Sequence, residues 1–279
     1  MARDLLPVIR ETLADLFQVE REIARGGAAR VYRAQDREGR LVALKVLHPE
    51  LQVSAMAERF LREIRVASSL DHPLIAPVLD WGQRDWLVYY TMPLIAGPTL
   101  RTCFSRSRQL SVADTCRVGK DVLDALGHAH QARIMHRDVK PENIIISDHG
   151  AVLVDFGVAR AVEVAAGDRV TAAGMTVGTA GYMSPEQASG AADLDYRTDL
   201  YAVGCVLFES LAGRPPFAHR NQSVVLQMQL SGEAPDVRTF RADTPEPLAQ
   251  AITRALQRRA EDRWRTAVEM RSSLDACNG

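Results

Sequence analysis

Lysine is the scarcest charged residue in this chain of 279 residues. Lysine and arginine together number 34, and only Lys45, Lys120 and Lys140 are lysine. The compact ammonium of lysine on its flexible stem differs in chemistry from the planar guanidinium fork of arginine. A chain that uses arginine almost everywhere else is expected to keep lysine where arginine cannot replace it.

Cysteine is also rare, and its arrangement favours neither a disulfide framework nor a zinc site. The four cysteines, Cys103, Cys116, Cys205 and Cys277, form no C-x-x-C pair, and none lies beside a histidine at metal-binding spacing. We interpret them as free thiols in a reducing compartment. No signal peptide is evident, and no apolar run approaches the roughly 18 residues that a membrane helix needs. A cytoplasmic chain without a membrane span is therefore expected.

No charge of one sign dominates the composition. The 34 basic and 35 acidic residues nearly cancel, so the charge balance points to neither nucleic acid nor an anionic membrane as a partner. The 18 glycines and 13 prolines are too few for a low-complexity chain. The hydrophobic content of 47% is typical of a globular protein with a sizeable core.

Hydrophobic periodicity predicts a small, strand-rich unit followed by a larger helical one, with the boundary near residues 93–98. The first unit is expected to contain an amphipathic lead-in at 1–16, three antiparallel strands within 17–47, a helix at 56–70, and strands near 75–81 and 86–92. The second is expected to contain helices at 112–132, 196–212, 221–231, 246–257 and 266–276, and a hairpin at 144–154. Residues 155–186 are interpreted as a long extended surface segment.

The residues that carry chemistry cluster in two neighbouring loops. One is His136-Arg137-Asp138-Val139-Lys140-Pro141-Glu142-Asn143, and the other, Asp155-Phe156-Gly157, begins twelve residues after Asn143. Two carboxylates and an amide on such loops are able to hold a divalent metal and leave one carboxylate free as a base. Upstream, Lys45 ends a predicted strand, and Glu63 lies eighteen residues later in a predicted helix, where it is placed to pair with the ammonium.

With these motifs, the sequence resembles the catalytic domain of a bacterial, eukaryotic-like serine/threonine protein kinase over about residues 17–276. The resemblance implies an α+β, bilobal fold within a single protein kinase domain at 1–279. It places a small antiparallel-sheet N-lobe with one main helix at about 17–92, a hinge at 93–98, and a larger, mostly helical C-lobe at about 99–276. ATP and Mg²⁺ are the implied cofactors, and protein serine and threonine hydroxyls are the implied acceptors.

By this resemblance, the catalytic residues are Asp138, Lys140, Lys45 and Glu63. Lys45, held by Glu63, contacts the α- and β-phosphates of ATP. Asp138 accepts or orients the proton of the acceptor hydroxyl, and Lys140 neutralises charge near the γ-phosphate. The implied metal ligands are Asn143 and Asp155.

The loop that covers the phosphates departs from the family pattern. The family expects G-x-G-x-x-G-x-V, whereas Ala24 and Ala29 occupy the first and third glycine positions. Alanine restricts positive φ, so we expect a stiffer loop that changes ATP affinity rather than the binding mode. The ATP-binding residues implied by the family are Ile23, Gly26, Gly27, Val31, Ala43, Lys45, Met92, Pro93 and Ile95.

The segment at 155–186 resembles an activation segment. Thr171 and Thr176 are the candidate autophosphorylation sites, with Arg137 and Arg160 expected to receive a phosphate. The implied remaining roles are Thr179 as a substrate-side threonine that contacts Asp138 and Lys140, Glu186 as the partner of Arg263, Asp199 as the brace of the catalytic-loop backbone, and His136 as a packing residue.

Two other functions share parts of this pattern. A nucleotide-binding pseudokinase scaffold is favoured only by Ala24 and Ala29, because the residues with implied catalytic and metal-binding roles are all intact. A small-molecule phosphotransferase of the same broad fold is expected to lack Lys140 and the long segment at 155–186. The resemblance also makes a homodimer through the small lobe a partner arrangement to test, for which the sequence gives no separate signal.

Overall fold

The computed structural model of the chain describes residues 5–26, 29–47, 54–156 and 179–278. These residues fall into two compact units. The N-terminal unit comprises the described residues up to Asp71, those from Ala76 to Ile95, and Phe156, and the C-terminal unit comprises the rest. The division between Ile95 and Ala96 lies within the range predicted as a hinge.

The N-terminal unit is built on a five-stranded antiparallel sheet with the strand order β1-β2-β3-β5-β4. The strands are β1 Phe17–Arg25, β2 Ala29–Asp36, β3 Leu41–Leu47, β4 Asp80–Arg84 and β5 Leu87–Pro93, and the helices are α1 Leu6–Thr12 and α2 Ser54–Ala67. Successive side chains of a strand point to opposite faces. One face packs against α1, and the other packs in part against α2.

Helix α1 covers its face of the sheet with side chains that are almost completely buried. Leu5, Ile9 and Leu13 are 8%, 0% and 0% exposed and join a cluster with Tyr32 and Leu44 of the strands. Arg10 adds a hydrogen bond from Nε to the backbone carbonyl of Val19, at 2.8 Å. The predicted lead-in is therefore part of the core of this unit.

We expect Ile9→Ala to lower the free energy of unfolding by about 2–5 kcal/mol, because it deletes fully buried methyl groups and leaves a cavity. Urea titration measures the change. The matched control is Val8→Ala on the same helix, where the side chain is 38% exposed and the expected change is within about 0.5 kcal/mol. Equal effects of the two substitutions would show that α1 does not pack on the sheet.

The C-terminal unit is mostly helical and contains one hairpin. Its elements are α3 Leu100–Ser107, α4 Val112–Gln131, β6 Ile144–Ser147, β7 Gly150–Leu153, α5 Pro185–Ala188, α6 Arg197–Ala212, α7 Gln222–Ser231, α8 Glu246–Ala255 and α9 Ala267–Ser273. Short 3-10 turns span Pro141–Asn143, Thr179–Tyr182, Val237–Thr239, Ala260–Asp262 and Leu274–Asn278. Helix α6 is buried from Thr198 to Leu211, so it forms the centre of the unit.

Gly97 lies near the start of the C-terminal unit, where the backbone passes very close to β6. Gly97 has φ 136°, and a Cβ there would lie 2.1 Å from the carbonyl oxygen of Ile146. Only glycine combines this backbone conformation with so close an approach. The next residue, Pro98, accepts a hydrogen bond from the amide of Ile146 at 2.9 Å, which ties the start of the unit to β6.

The predicted α+β fold, with a sheet-rich first part and a helical second part, is confirmed, and one predicted strand is wrong. The strand expected near 75–81 begins only at Asp80, while Ile75 forms an isolated parallel bridge with Leu153. Pro73 and Pro77 flank Ile75, and proline has no amide hydrogen to donate to a sheet ladder. Among the described residues, no helix is both long enough and apolar enough to span a lipid bilayer.

Candidate active site

Three of the predicted catalytic and metal-binding residues meet in the loop between α4 and β6. The Lys140 ammonium donates to both carboxylate oxygens of Asp138, with Nζ 2.8 Å from Oδ1 and 2.6 Å from Oδ2. Asn143 donates from Nδ2 to Oδ2 of Asp138 at 3.0 Å. The carboxylate is therefore held in one orientation, although the Asp138 side chain keeps 25% of its surface exposed.

His136 ties the backbone of this loop to the end of the hairpin. Its imidazole is fully buried, and Nδ1 accepts a hydrogen bond from the amide of Asp138 at 3.2 Å. Nε2 lies 2.8 Å from the carbonyl oxygen of Val154. Because Nδ1 accepts, Nε2 carries the hydrogen and donates to Val154, which fixes the neutral tautomer. These contacts agree with the packing role implied for His136.

Asp199, near the start of α6, accepts hydrogen bonds from the backbone of the same loop. Its buried carboxylate accepts from the amides of His136 and Arg137 at 2.9 and 2.7 Å and lies 2.9 Å from Nε2 of His130. Burial alone would raise the pKa of Asp199, but the hydrogen bond and charge of His130, with the backbone donor, hold that pKa below its usual value. The role of His130 has no signal in the sequence, because the contact joins residues that lie 69 positions apart.

Two residues flanking the site have left-handed backbone conformations, which residues other than glycine rarely adopt. Arg137 has φ 65° and Asp155 has φ 69°. Arg137 is held there from both sides, because its amide donates to Asp199 and its carbonyl accepts from Nε2 of Gln187 at 2.9 Å. Backbone strain of this kind concentrates at functional sites.

Of the segment predicted at 155–186, the structure describes residues 155–156 and 179–186. Gly157, Arg160, Thr171 and Thr176 lie outside the described residues, as does Gly27 of the predicted ATP-binding set. Thr179 begins the turn Thr179–Tyr182, and its expected contact with Asp138 and Lys140 stays a prediction.

The structure brings Glu186 and Arg263 together in a bidentate ion pair. The two guanidinium nitrogens of Arg263 lie 2.7 and 2.8 Å from the two carboxylate oxygens of Glu186, and the Arg263 side chain is fully buried. The hydroxyl of Thr198 donates to the same carboxylate at 2.9 Å. Burial acts to raise the pKa of Glu186, but the Arg263 guanidinium holds it below its usual value.

A second polar cluster, absent from the sequence predictions, anchors Tyr182 at the end of the turn. Arg101 of α3 donates to Glu142 at 2.7 Å and to Glu209 of α6 at 2.8 Å. The hydroxyl of Tyr182 donates to Glu209 and accepts from Arg101. Burial, together with the charge of Glu209, raises the pKa of Tyr182 well above its usual range. The phenol therefore stays neutral and holds the turn in place.

In the N-terminal unit, the sheet register places four of the predicted ATP-binding residues, Val31, Ala43, Lys45 and Met92, on a common face. Lys45 is opposite Val31 in β2 and Tyr90 in β5, and Ala43 is opposite Met92 in β5. Residues directly opposite each other share a face, as do alternate residues of one strand. The Lys45 ammonium lies 5.8 Å from the centroid of the Tyr90 ring.

Helix α2, which carries Glu63, packs on the face of the sheet that carries Lys45. Its Phe60 and Ile64 are fully buried and lie in one cluster with Tyr90. Glu63 itself is half-buried in the middle of the helix. Its pairing with Lys45 stays a prediction, supported by the face that α2 covers.

Ala24 and Ala29, which replace glycines of the predicted phosphate-covering loop, fit the backbone found at these positions. Ala24 is paired with Val31 in the β1–β2 ladder, and Ala29 is paired with Leu47 and is 2% exposed. Neither has positive φ, so neither position needs glycine. The amide of Gly26 donates to the carbonyl of Ala29 at 2.8 Å.

The other predicted nucleotide contacts lie at the edges of this unit. Ile23 of β1 is 37% exposed, and Pro93 ends β5. After it, the amide of Leu94 donates to the carbonyl of Leu41 at 3.3 Å, and Ile95 is half-buried. The hydrogen bond from Leu94 attaches the chain after β5 to the start of β3.

Comparison with known protein families identifies the family of this chain. The family described as protein kinase domain matches residues 17–274. The chain belongs to the protein kinase family. The match includes both loops that carry the candidate active-site residues, and it begins at Phe17, after α1.

Curated relatives are named as bacterial serine/threonine-protein kinases. A probable serine/threonine-protein kinase of Streptomyces coelicolor is 36% identical over 273 residues, covering 95% of this chain and 40% of that protein. The kinase PknB of Mycolicibacterium smegmatis is 37% identical, covering 94% and 43%, and PrkC of Bacillus subtilis is 33% identical, covering 96% and 41%. The chain thus spans about two fifths of the length of the curated relatives it matches.

Proposed function

We propose that this chain is a single serine/threonine protein kinase domain, which depends on ATP and Mg²⁺ and transfers the γ-phosphoryl group of ATP to serine and threonine hydroxyls of protein substrates. The observation that carries this proposal is the hydrogen-bonded arrangement of Asp138, Lys140 and Asn143. The family membership and the names of the relatives support the same activity.

Asp138 supplies the base in this proposal. Its carboxylate is oriented by two donors and partly exposed, so it is able to receive the proton of an acceptor hydroxyl as the oxygen attacks phosphorus. Lys140 contributes positive charge beside the transferred group, where charge develops in the transition state. Positioning and electrostatic stabilisation account for most of the catalysis of phosphoryl transfer.

Asn143 and Asp155 fit the binding of Mg²⁺. Asn143 uses Nδ2 to donate to the carbonyl and the carboxylate of Asp138, at 2.8 and 3.0 Å, which directs its amide oxygen elsewhere as an available ligand. Asp155 contributes a carboxylate. Mg²⁺ is usually held by one or two carboxylates together with substrate phosphates. When bound, the metal neutralises phosphate charge.

The N-terminal unit is proposed to bind the nucleotide. Val31, Ala43 and Met92 offer apolar surface for adenine on the face that also carries Lys45. Lys45, held by Glu63, binds the α- and β-phosphates. The remaining proposed contacts are Ile23, Gly26, Gly27, Pro93 and Ile95. A pseudokinase scaffold remains the alternative, but a purely structural role gives no reason for the oriented carboxylate of Asp138.

The direct test is the intact mass of the chain after incubation with ATP and Mg²⁺. We expect gains of whole phosphates, mapped to Thr171 or Thr176, and lower turnover on a protein acceptor when both threonines are replaced by alanine. The matched control is Thr253→Ala, at an exposed threonine of α8. No mass gain and no transfer to a protein acceptor would reject the kinase. Unchanged turnover of the double variant would reject activation by loop phosphorylation alone.

A further inference from the structure

Gln229 of α7 is a buried amide that holds the turn after Thr179. The side chain is 1% exposed, and its Nε2 donates to the backbone carbonyl of Ala180 at 2.5 Å. Because a carbonyl oxygen only accepts hydrogen bonds, the nitrogen of the amide must face Ala180. The amide oxygen Oε1 therefore points away, and within the described part of the chain no donor reaches it.

The surroundings of Gln229 are suited to an apolar side chain. Ala180, Phe217 and Val225 form a buried cluster, with Leu226 and Met228 packed against it. An apolar side chain of similar size would remove the unpaired Oε1, but it would leave the Ala180 carbonyl with only the amide of Met183 as donor, at 3.3 Å. What glutamine adds at this position is therefore the hydrogen bond to Ala180, at the cost of an unpaired Oε1. Polar groups retained at a cost in stability often serve function.

The turn Thr179–Tyr182 is held at two points by different elements. Tyr182 is anchored by Arg101 and Glu209 through its hydroxyl, and Ala180 is anchored by Gln229 through its carbonyl. Ala180 directly follows Thr179, the residue expected on the substrate side. Loss of the Gln229 contact would remove the shorter hydrogen bond to the backbone next to Thr179 and leave the contacts of Tyr182 in place.

Helix α7 also packs against α5, on the other side of the turn. Ser184, the N-cap of α5, accepts from the amide of Gln187, and Gln187 in turn donates to the carbonyl of Arg137 beside Asp138. The segment from Thr179 to Ala188 is thus linked to α7 at one end and to the catalytic loop at the other.

We propose that Gln229 is a positioning residue for the protein acceptor, which sets the backbone next to Thr179 in the geometry that receives a substrate chain. This inference rests on the proposed kinase function and adds to it a determinant of acceptor binding. Gln229 does not itself contact the reacting atoms. Its effect is expected in the acceptor KM and not in the steps that involve ATP alone.

The test compares Gln229→Leu with the wild type and with Gln227→Leu, the same substitution at an exposed position of α7. Myelin basic protein is the acceptor probe. For Gln229→Leu we expect an acceptor KM about five- to tenfold higher, from the loss of one buried hydrogen bond. The KM for ATP and the ATP hydrolysis measured without acceptor are expected to stay within about twofold of wild type, since the ATP-binding residues are unchanged. The Tm is expected to stay close to that of the wild type, because the substitution removes the unpaired Oε1 and also the donor to the Ala180 carbonyl. Gln227→Leu is expected to match the wild type throughout.

An unchanged acceptor KM in a folded Gln229→Leu variant would overturn the inference. A parallel loss of Tm, ATP binding and acceptor binding would also overturn it, because it would show a merely structural role. Gln229→Met, which keeps an unbranched chain but has no donor, must reproduce the split between the two KM values. If the wild type phosphorylates neither itself nor the probe, the proposed function fails and the inference fails with it. Transfer by the wild type without the split rejects the inference alone.

Discussion

Replacing Asp138 with asparagine is expected to lower kcat for phosphoryl transfer by about 10²–10⁴-fold, the usual contribution of a positioned general base. Asparagine has nearly the same shape, and an amide oxygen in the place of Oδ2 still accepts hydrogen bonds from both Lys140 and Asn143. It cannot take a proton from the acceptor hydroxyl. The loss is therefore expected in the chemical step, with ATP affinity and Tm close to those of the wild type.

Single-turnover transfer to a protein acceptor, an ATP titration and a thermal melt measure these three quantities. The control is Asp148→Asn, the same substitution at an exposed position of the β6–β7 turn, which is expected to leave all three unchanged. A rate within about tenfold of the wild type would show that Asp138 contributes less than a positioned base does. The proton would then have to leave by another route.

The sequence predicts the elements of this fold because their signals are local. Four of the five strands of the N-terminal sheet and the long helices follow from hydrophobic periodicity, and α6 is expected at 196–212 and observed at Arg197–Ala212. The strand predicted near 75–81 fails for a physical reason. An apolar stretch there resembles a strand, but the two prolines prevent a regular ladder, and Ile75 pairs with Leu153 instead.

The candidate active site likewise contains some contacts that the sequence predicts and others that it does not. Asp138, Lys140 and Asn143 lie within one short loop, so the motif that names them also brings them together. The contacts that sequence reasoning missed join distant positions. Arg101 and Glu209 are 108 residues apart, and Gln229 and Ala180 are 49 residues apart. Such pairs are set by the packing of α3, α6 and α7, which hydrophobic periodicity does not determine.

Arg263→Ala is expected to lower the free energy of unfolding by about 3–5 kcal/mol at neutral pH, as is usual when one partner of a buried ion pair is removed. The variant leaves the Glu186 carboxylate without its counter-charge. It also removes the hydrogen bonds that Arg263 donates to the carbonyls of Gln257 and Arg258, at 2.7 and 2.9 Å. The control is Arg259→Ala, which breaks an exposed pair with Glu261 and is expected to change stability by less than about 1 kcal/mol.

The pH dependence of this effect follows from the pKa of Glu186. In the wild type that pKa lies below its unfolded value, so the stability from the pair is fully present above the unfolded pKa, about 4.3 for glutamate, and is lost as the pH falls through the folded pKa. In Arg263→Ala the counter-charge is gone, and burial, the largest influence on the pKa of Glu186, is opposed only by the hydrogen bonds from Thr198 and the backbone. We therefore expect protonation of Glu186 to stabilise the folded variant. Urea titrations should therefore show the difference between wild type and variant shrinking from neutral pH towards about pH 4. A difference that stays constant over this range would mean that lost packing on the Tyr201 ring, and not the ion pair, accounts for the effect.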